Sequence, residues 1–181
     1  MKEPREEHLR NIAIVSYTGA GKSSLAEALL FTAGAIPTMG SVTGGNTVAD
    51  FEPEEIHRKI TISSSVLHLE WKDMAFNLID TPGALSFLGE AQTALRAADA
   101  VLIVVAASSG MRTELEKVWQ TIQELELPCL MFVNELDKER MKGHVAVVVE
   151  LAQRHPQPPP FADAHHGELC RLGESAADPR D

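Results

Sequence analysis

Apolar and polar positions follow two different periods along this chain, and the switches between them mark its elements. Ile12 to Ser16 is a short apolar run that stops at a Gly-rich turn. From Ser23 to Phe31 the spacing of Leu25, Leu29 and Leu30 is that of a helix. Ile60 to Glu70 is rich in β-formers. Within it Val66, His68 and Glu70 alternate with Leu67 and Leu69, which predicts a strand with one buried face. Ala75 to Ile79 predicts a second strand, stopped by Asp80-Thr81-Pro82-Gly83, and Phe87 to Ala97 reads as a helix. Val101 to Val105 is continuously aliphatic, as expected of a parallel strand covered on both faces. Thr113 to Leu125 predicts an amphipathic helix, and Pro128 leads into another buried strand, Cys129 to Val133. Strands alternating with helices in this way predict a doubly wound α/β domain with a mostly parallel sheet and helices on both faces.

Two stretches break the rhythm. Ala33 to Lys59 is rich in Gly and Thr and then acidic (Asp50, Glu52, Glu54, Glu55), and a connection of that length without clear structure is usually functional or mobile. After Lys142 the character changes. We read residues 1–142 as the folded domain and 143–181 as an irregular tail rich in Pro, His and Ala, with Val145 to Leu151 a short strand or helix.

Composition narrows the classes. The net charge of −10, from 26 acidic and 16 basic residues, opposes nonspecific binding to DNA or to an anionic membrane. Met1 to Arg10 is charged and lacks the apolar core of a secretory signal, and the run Ala100 to Ala107 is too short to span a bilayer. Cys129 and Cys170 form neither a disulfide framework nor zinc-ligand spacing, and Cys129 reads as a small core residue. A reducing, cytoplasmic setting and a monomer are expected. His155, His165 and His166 with Cys170 lack any spacing that defines a metal site, and a polar tail is the simpler reading.

The chemistry lies in three loops, each at the C-terminal end of a predicted strand. Ser16-Tyr17-Thr18-Gly19-Ala20-Gly21-Lys22-Ser23-Ser24 joins a strand to a helix, the context of a phosphate-binding P-loop, although Ser16 stands where the pattern opens with Gly. Small residues there let backbone N–H groups wrap a phosphate, Lys22 reaches its oxygens, and the Ser23 hydroxyl suits magnesium. In Asp80-Thr81-Pro82-Gly83 a carboxylate can support the same metal and the Gly83 N–H can meet a terminal phosphate. In Asn134-Glu135-Leu136-Asp137 the Asp137 carboxylate can accept from the N1–H and 2-amino group of guanine, while Asn134 braces the loop. That edge of a parallel sheet is where such folds bind ligands.

With these loops placed, the chain from about Arg10 to Arg140 resembles the GTP-binding domain of translation factors, and that of elongation factor G in particular. The likeness includes Asn11-Ile12-Ala13-Ile14, Leu29-Leu30-Phe31-Thr32-Ala33-Gly34, Glu54 to Ile62 and Phe132-Val133-Asn134. It implies a P-loop NTPase G domain that binds GTP or GDP with Mg2+ and works with the ribosome. Nucleotide contacts fall to Thr18, Gly19, Ala20, Gly21, Lys22, Ser23, Ser24, Asp80, Gly83, Asn134 and Asp137. Metal contacts fall to Ser23, Thr61 and Asp80. The resemblance makes Ala33–Lys59 a switch I region, Thr61 its contact to magnesium and the γ-phosphate, and Asp80 to Leu88 switch II.

The departures from that family carry expectations of their own. Tyr17 and Gly19 replace a histidine and an aspartate. Ala84 stands where the family orients the attacking water with a histidine, so no catalytic residue is assigned and hydrolysis is expected to be slow. Glu135 replaces a lysine that packs along the base. The family's further strand, its Ser-Ala loop and its later domains are not legible here, and Glu174-Ser175-Ala176-Ala177 has no strand leading into it. The change near Lys142 predicts a truncated or frame-shifted product with an incomplete sheet, an expectation that reading the coding DNA in its other frames tests. A nucleotide-binding module or decoy without turnover, or a fragment of a ribosomal protection protein, are the alternatives.

Overall fold

Residues 6–109 and 112–136 are described by the computed structural model. Asp137, Cys170, residues 143–181 with Val145 to Leu151, and the histidines of that segment lie outside them. The first strand, β1 (Leu9–Val15), carries Ala13, Ile14 and Val15 with no solvent exposure, so it occupies the middle of a sheet. Among the described residues, strands β2 (Ser65–Trp71), β3 (Met74–Asp80), β4 (Ala100–Ala106) and β5 (Cys129–Asn134) join it in the order β2-β3-β1-β4-β5. Strands β3, β1, β4 and β5 run parallel, and β2 pairs antiparallel to β3 from Ser65↔Asp80 to Trp71↔Met74.

Helix α1 (Lys22–Thr32) follows β1, α2 (Pro53–Arg58) lies in the long connection, α3 (Leu88–Ala97) leads to β4, and α4 (Thr113–Glu124) leads to β5. The chain moves one way across the sheet from β1 to β3 and the other way from β3 through β4 to β5. Right-handed crossovers therefore put α1 on one face and α3 and α4 on the other. The core forms between these layers, with Leu95, Ile103, Leu115, Val118 and Ile122 among its buried members. Val104 and Val105 are adjacent and both buried, the two-faced burial expected of that aliphatic run. No helix among the described residues is long and apolar enough to cross a membrane.

Four details differ from the sequence reading. Strand β2 begins only at Ser65, because the N–H groups of Ile62 and Ser63 donate to the Glu55 carboxylate and not to a neighbouring strand. The connection Ala33–Lys59 contains a helix, started by Pro53 at its first position and by a capping box in which Glu52 and Glu55 exchange bonds with each other's backbone. Strand β5 is not fully buried: Leu130 and Phe132 on one face are exposed, since β5 is the sheet edge among the described residues. Cys129 is half-buried rather than deep in the core, and burial raises its thiol pKa.

Candidate nucleotide and magnesium site

Strand β1 delivers the chain to the switch point of the sheet, and the loop Ser16–Gly21 turns there into α1. Gly21 is the N-cap of α1 with φ 96°, a left-handed conformation that side chains rarely adopt. A Cβ on it would lie 2.2 Å from Asn134 Nδ2, and that amide donates to the Ala20 carbonyl at 2.9 Å. The glycine therefore leaves room for the end of β5 to brace the loop.

The Asp80–Gly83 turn closes on the same loop. Thr81 donates its N–H and its hydroxyl to the Ile14 carbonyl at 3.3 and 2.7 Å. Gly83 packs so tightly that a Cβ would come within 2.4 Å of the Tyr17 carbonyl carbon and 2.5 Å of the Thr18 nitrogen. Both contacts are to backbone, so only glycine lets the two loops touch.

Between these loops and the long connection lies a cleft of about 200 Å³, lined by Thr18, Gly19, Gly21, Lys22, Ser23, Ser24, Asp50, Thr61 and Gly83 among others. Lys22 is buried, at 6% exposure, and its ammonium donates to the Tyr17 carbonyl at 3.2 Å. Burial lowers its pKa, opposed by the negative charges of Asp80 and Asp50. Behind it a chain of oxygens converges. Ser23 Oγ donates to Asp80 Oδ2 at 2.7 Å and lies 3.3 Å from Thr61 Oγ1, which donates to Asp50 Oδ1 at 3.0 Å. Asp50 also accepts from the Thr47 hydroxyl at 3.0 Å.

Most of the residues expected from sequence thus meet at one place. Eight of the eleven expected nucleotide-contact residues, together with Thr61, are in or beside the cleft: Thr18, Gly19, Gly21, Lys22, Ser23 and Ser24 with Gly83 in its lining, and Asp80 one hydrogen bond behind. Ala20 and Asn134 act as the brace. Asp137 lies outside the described residues. Asp50 was missed. Its only signal was membership of an acidic run, and its place beside Thr61 is a contact across 11 positions. Tyr17 is also more than a replacement. Its hydroxyl accepts from the Ala106 N–H at 3.0 Å and faces the Ala106 carbonyl at 3.3 Å, pinning the loop to the end of β4. Arg112 stacks over its ring at 4.7 Å. Burial, first among several influences, raises the phenol pKa. Glu135, with φ 62°, accepts from the Ser108 hydroxyl at 2.6 Å. Ala84 caps a short 3-10 turn (Leu85–Phe87) and offers only a methyl group.

The family described as the elongation factor Tu GTP binding domain matches residues 7–159. The chain belongs to that family. It is 38% identical over 130 residues to elongation factor G 2 of Borreliella burgdorferi, covering 72% of this chain and 19% of that protein. It is likewise 38% identical over 135 residues to mitochondrial ribosome-releasing factor 2 of Danio rerio, covering 75% of this chain and 18% of that one. A crystal structure of a Thermus thermophilus protein superposes with a TM-score of 0.75 at 34% identity, over 80% of this chain and 22% of that chain. The chain therefore spans about a fifth of the length of the relatives it matches. The five-stranded sheet of its described residues is that of a P-loop GTPase G domain.

Magnesium accompanies GTP or GDP in this family generally, and the donor set of this GTP-binding domain suits it. Asp80 Oδ1 is buried with no hydrogen-bond partner among the described residues, an atom left over from the Ser23 contact. The donors nearby are hydroxyl and carboxylate oxygens, which a hard divalent cation prefers. Burial pushes the Asp80 pKa up to about 6, with Lys22 and then Ser23 pulling it back.

A raised carboxyl pKa means that the folded state holds the proton more tightly than the unfolded chain. The Asp80 contribution is therefore fully favourable below about pH 4 and is lost as the pH rises through about 6. In metal-free protein at about pH 7.5, Asp80→Asn is expected to raise stability by up to about 3 kcal/mol. Thermal melts from about pH 4 to about pH 8 check this, and a lower melting temperature for the variant across that range would contradict it.

Proposed function

We propose that this chain is a magnesium-dependent guanine-nucleotide switch of the elongation factor G type, working on the ribosome and turning GTP over slowly. The convergence of Lys22, Ser23, Thr61 and Asp80 on one cleft carries the reading. Lys22 and the loop N–H groups would neutralise phosphate charge, Ser23 and Thr61 would ligate the metal, and Asp80 would support it. Guanine is selected by Asp137, and Asn134 ties that loop to the phosphate loop. Relatives named elongation factor G 2 and ribosome-releasing factor 2 support a role in translation, at the ribosome. We place the protein in the cytoplasm, as a monomer.

Slow turnover follows from Ala84. A methyl group cannot orient a water, so hydrolysis relies on another group or on a partner. Ala84 also favours a second reading, a switch that binds without turnover. Single- and multiple-turnover phosphate release, with and without ribosomes, separates the two. Repeated turnover stimulated by ribosomes supports the slow enzyme, and a nucleotide that stays intact on the protein supports the passive switch.

A further inference from the structure

Thr61 meets Ser23 and Asp50 from a segment that no strand supports, since β2 starts four residues later. The backbone on either side of it is held by one residue, Glu55. Glu55, on α2, has no solvent exposure, and burying a carboxylate is costly unless its oxygens are bonded. Its Oε1 accepts from the N–H groups of Ile62 at 2.9 Å and Ser63 at 3.1 Å, and its Oε2 from the Glu52 N–H at 3.1 Å. Its backbone carbonyl accepts from the Ile60 N–H at 3.3 Å. The residues on both sides of Thr61 are thus gripped by a single glutamate, and α2 ends at Lys59 in a left-handed conformation that turns the chain back toward it.

We propose that Glu55 is a positioning residue for Thr61, presetting its hydroxyl so that the cleft distinguishes a nucleoside triphosphate from a diphosphate. The proposal rests on the reading of Thr61 as the contact to metal and terminal phosphate. A diphosphate held by the Lys22 loop does not need Thr61, so the two nucleotides respond differently. Gln at position 55 keeps the shape but turns a donor toward one of the three N–H groups, and it lacks the charge that strengthens the remaining bonds.

The test measures affinity of the full chain for a non-hydrolysable GTP analogue and for GDP, both with magnesium. Glu55→Gln is expected to weaken the triphosphate analogue about tenfold and to leave GDP within about twofold. Glu54→Gln removes the same charge from an exposed neighbour that pairs with Arg58, and leaves both affinities unchanged. Glu55→Gln added to Thr61→Ala produces no further loss. If Glu55→Gln does not fold, Glu55→Asp keeps the charge, shortens the reach and shows the same selective loss. An unchanged ratio of the two affinities in these Glu55 variants, or additive losses in the double variant, overturns the proposal. A wild-type chain that binds neither nucleotide overturns the underlying reading of the site, and the proposal with it.

Discussion

Replacing Lys22 with methionine is expected to lower affinity for GTP and GDP by at least about 100-fold, the largest single effect in the domain. The ammonium is buried at the mouth of the phosphate loop, bonded only to the Tyr17 carbonyl among its described partners. Such a cation acts on phosphate at low local dielectric, where charge-assisted bonds are strongest. A loss of about 100-fold corresponds to about 2.7 kcal/mol, within reach of one such bond. Methionine retains the apolar stem, so packing of α1 is preserved while the charge is removed. The lost cation also leaves Asp50 and Asp80 facing each other without the neutralising charge that both feel. Isothermal titration with GDP and magnesium measures the effect, and near-wild-type affinity would show that Lys22 does not face the phosphates.

The second large effect is a gain. Ala84→His is expected to raise ribosome-stimulated GTP hydrolysis by about 100-fold, with nucleotide affinity within about twofold of wild type. Position 84 follows Gly83, which touches the phosphate loop, so a side chain there starts at the cleft. Its backbone is extended, at φ −86° and ψ 141°, which any residue adopts, and Ala84 is partly exposed. An imidazole can therefore be accommodated without backbone strain. Phosphate release under saturating GTP reports the gain. An unchanged rate would mean that another group already positions the water, and that Ala84 does not limit turnover.

The parts of this fold legible from sequence were those set by local pattern. Leu67 and Leu69 against Val66 and His68 gave the buried face of β2, and the run at Val104 and Val105 gave the two-faced burial of β4. The phosphate loop was legible because its chemistry sits in consecutive residues between a strand and a helix. What the pattern hid depends on distant partners. Ile60 to Ile62 has the composition of a strand, but the Ile62 N–H is taken by the Glu55 side chain, seven residues earlier on a helix, and the Ile60 N–H by the Glu55 backbone carbonyl. Glu27 lies within α1, where its local sequence carries no sign of a distant partner. It is buried, accepting from the Gly40 N–H at 2.9 Å and from Val48, so α1 holds the long loop directly. Leu130 and Phe132 read as core because their apolarity is local, whereas their exposure follows from the place of β5 at the sheet edge.

The central claim is that this cleft selects guanine nucleotides with magnesium, and a titration with fluorescent GTP tests it most directly. Magnesium is present in one series and chelated in the other, and GTP, GDP and ATP compete separately. Saturable binding that requires magnesium and is displaced by GTP and GDP but not by ATP is the expected result. Equal displacement by ATP, or no saturable binding by a cooperatively folded sample, would contradict it.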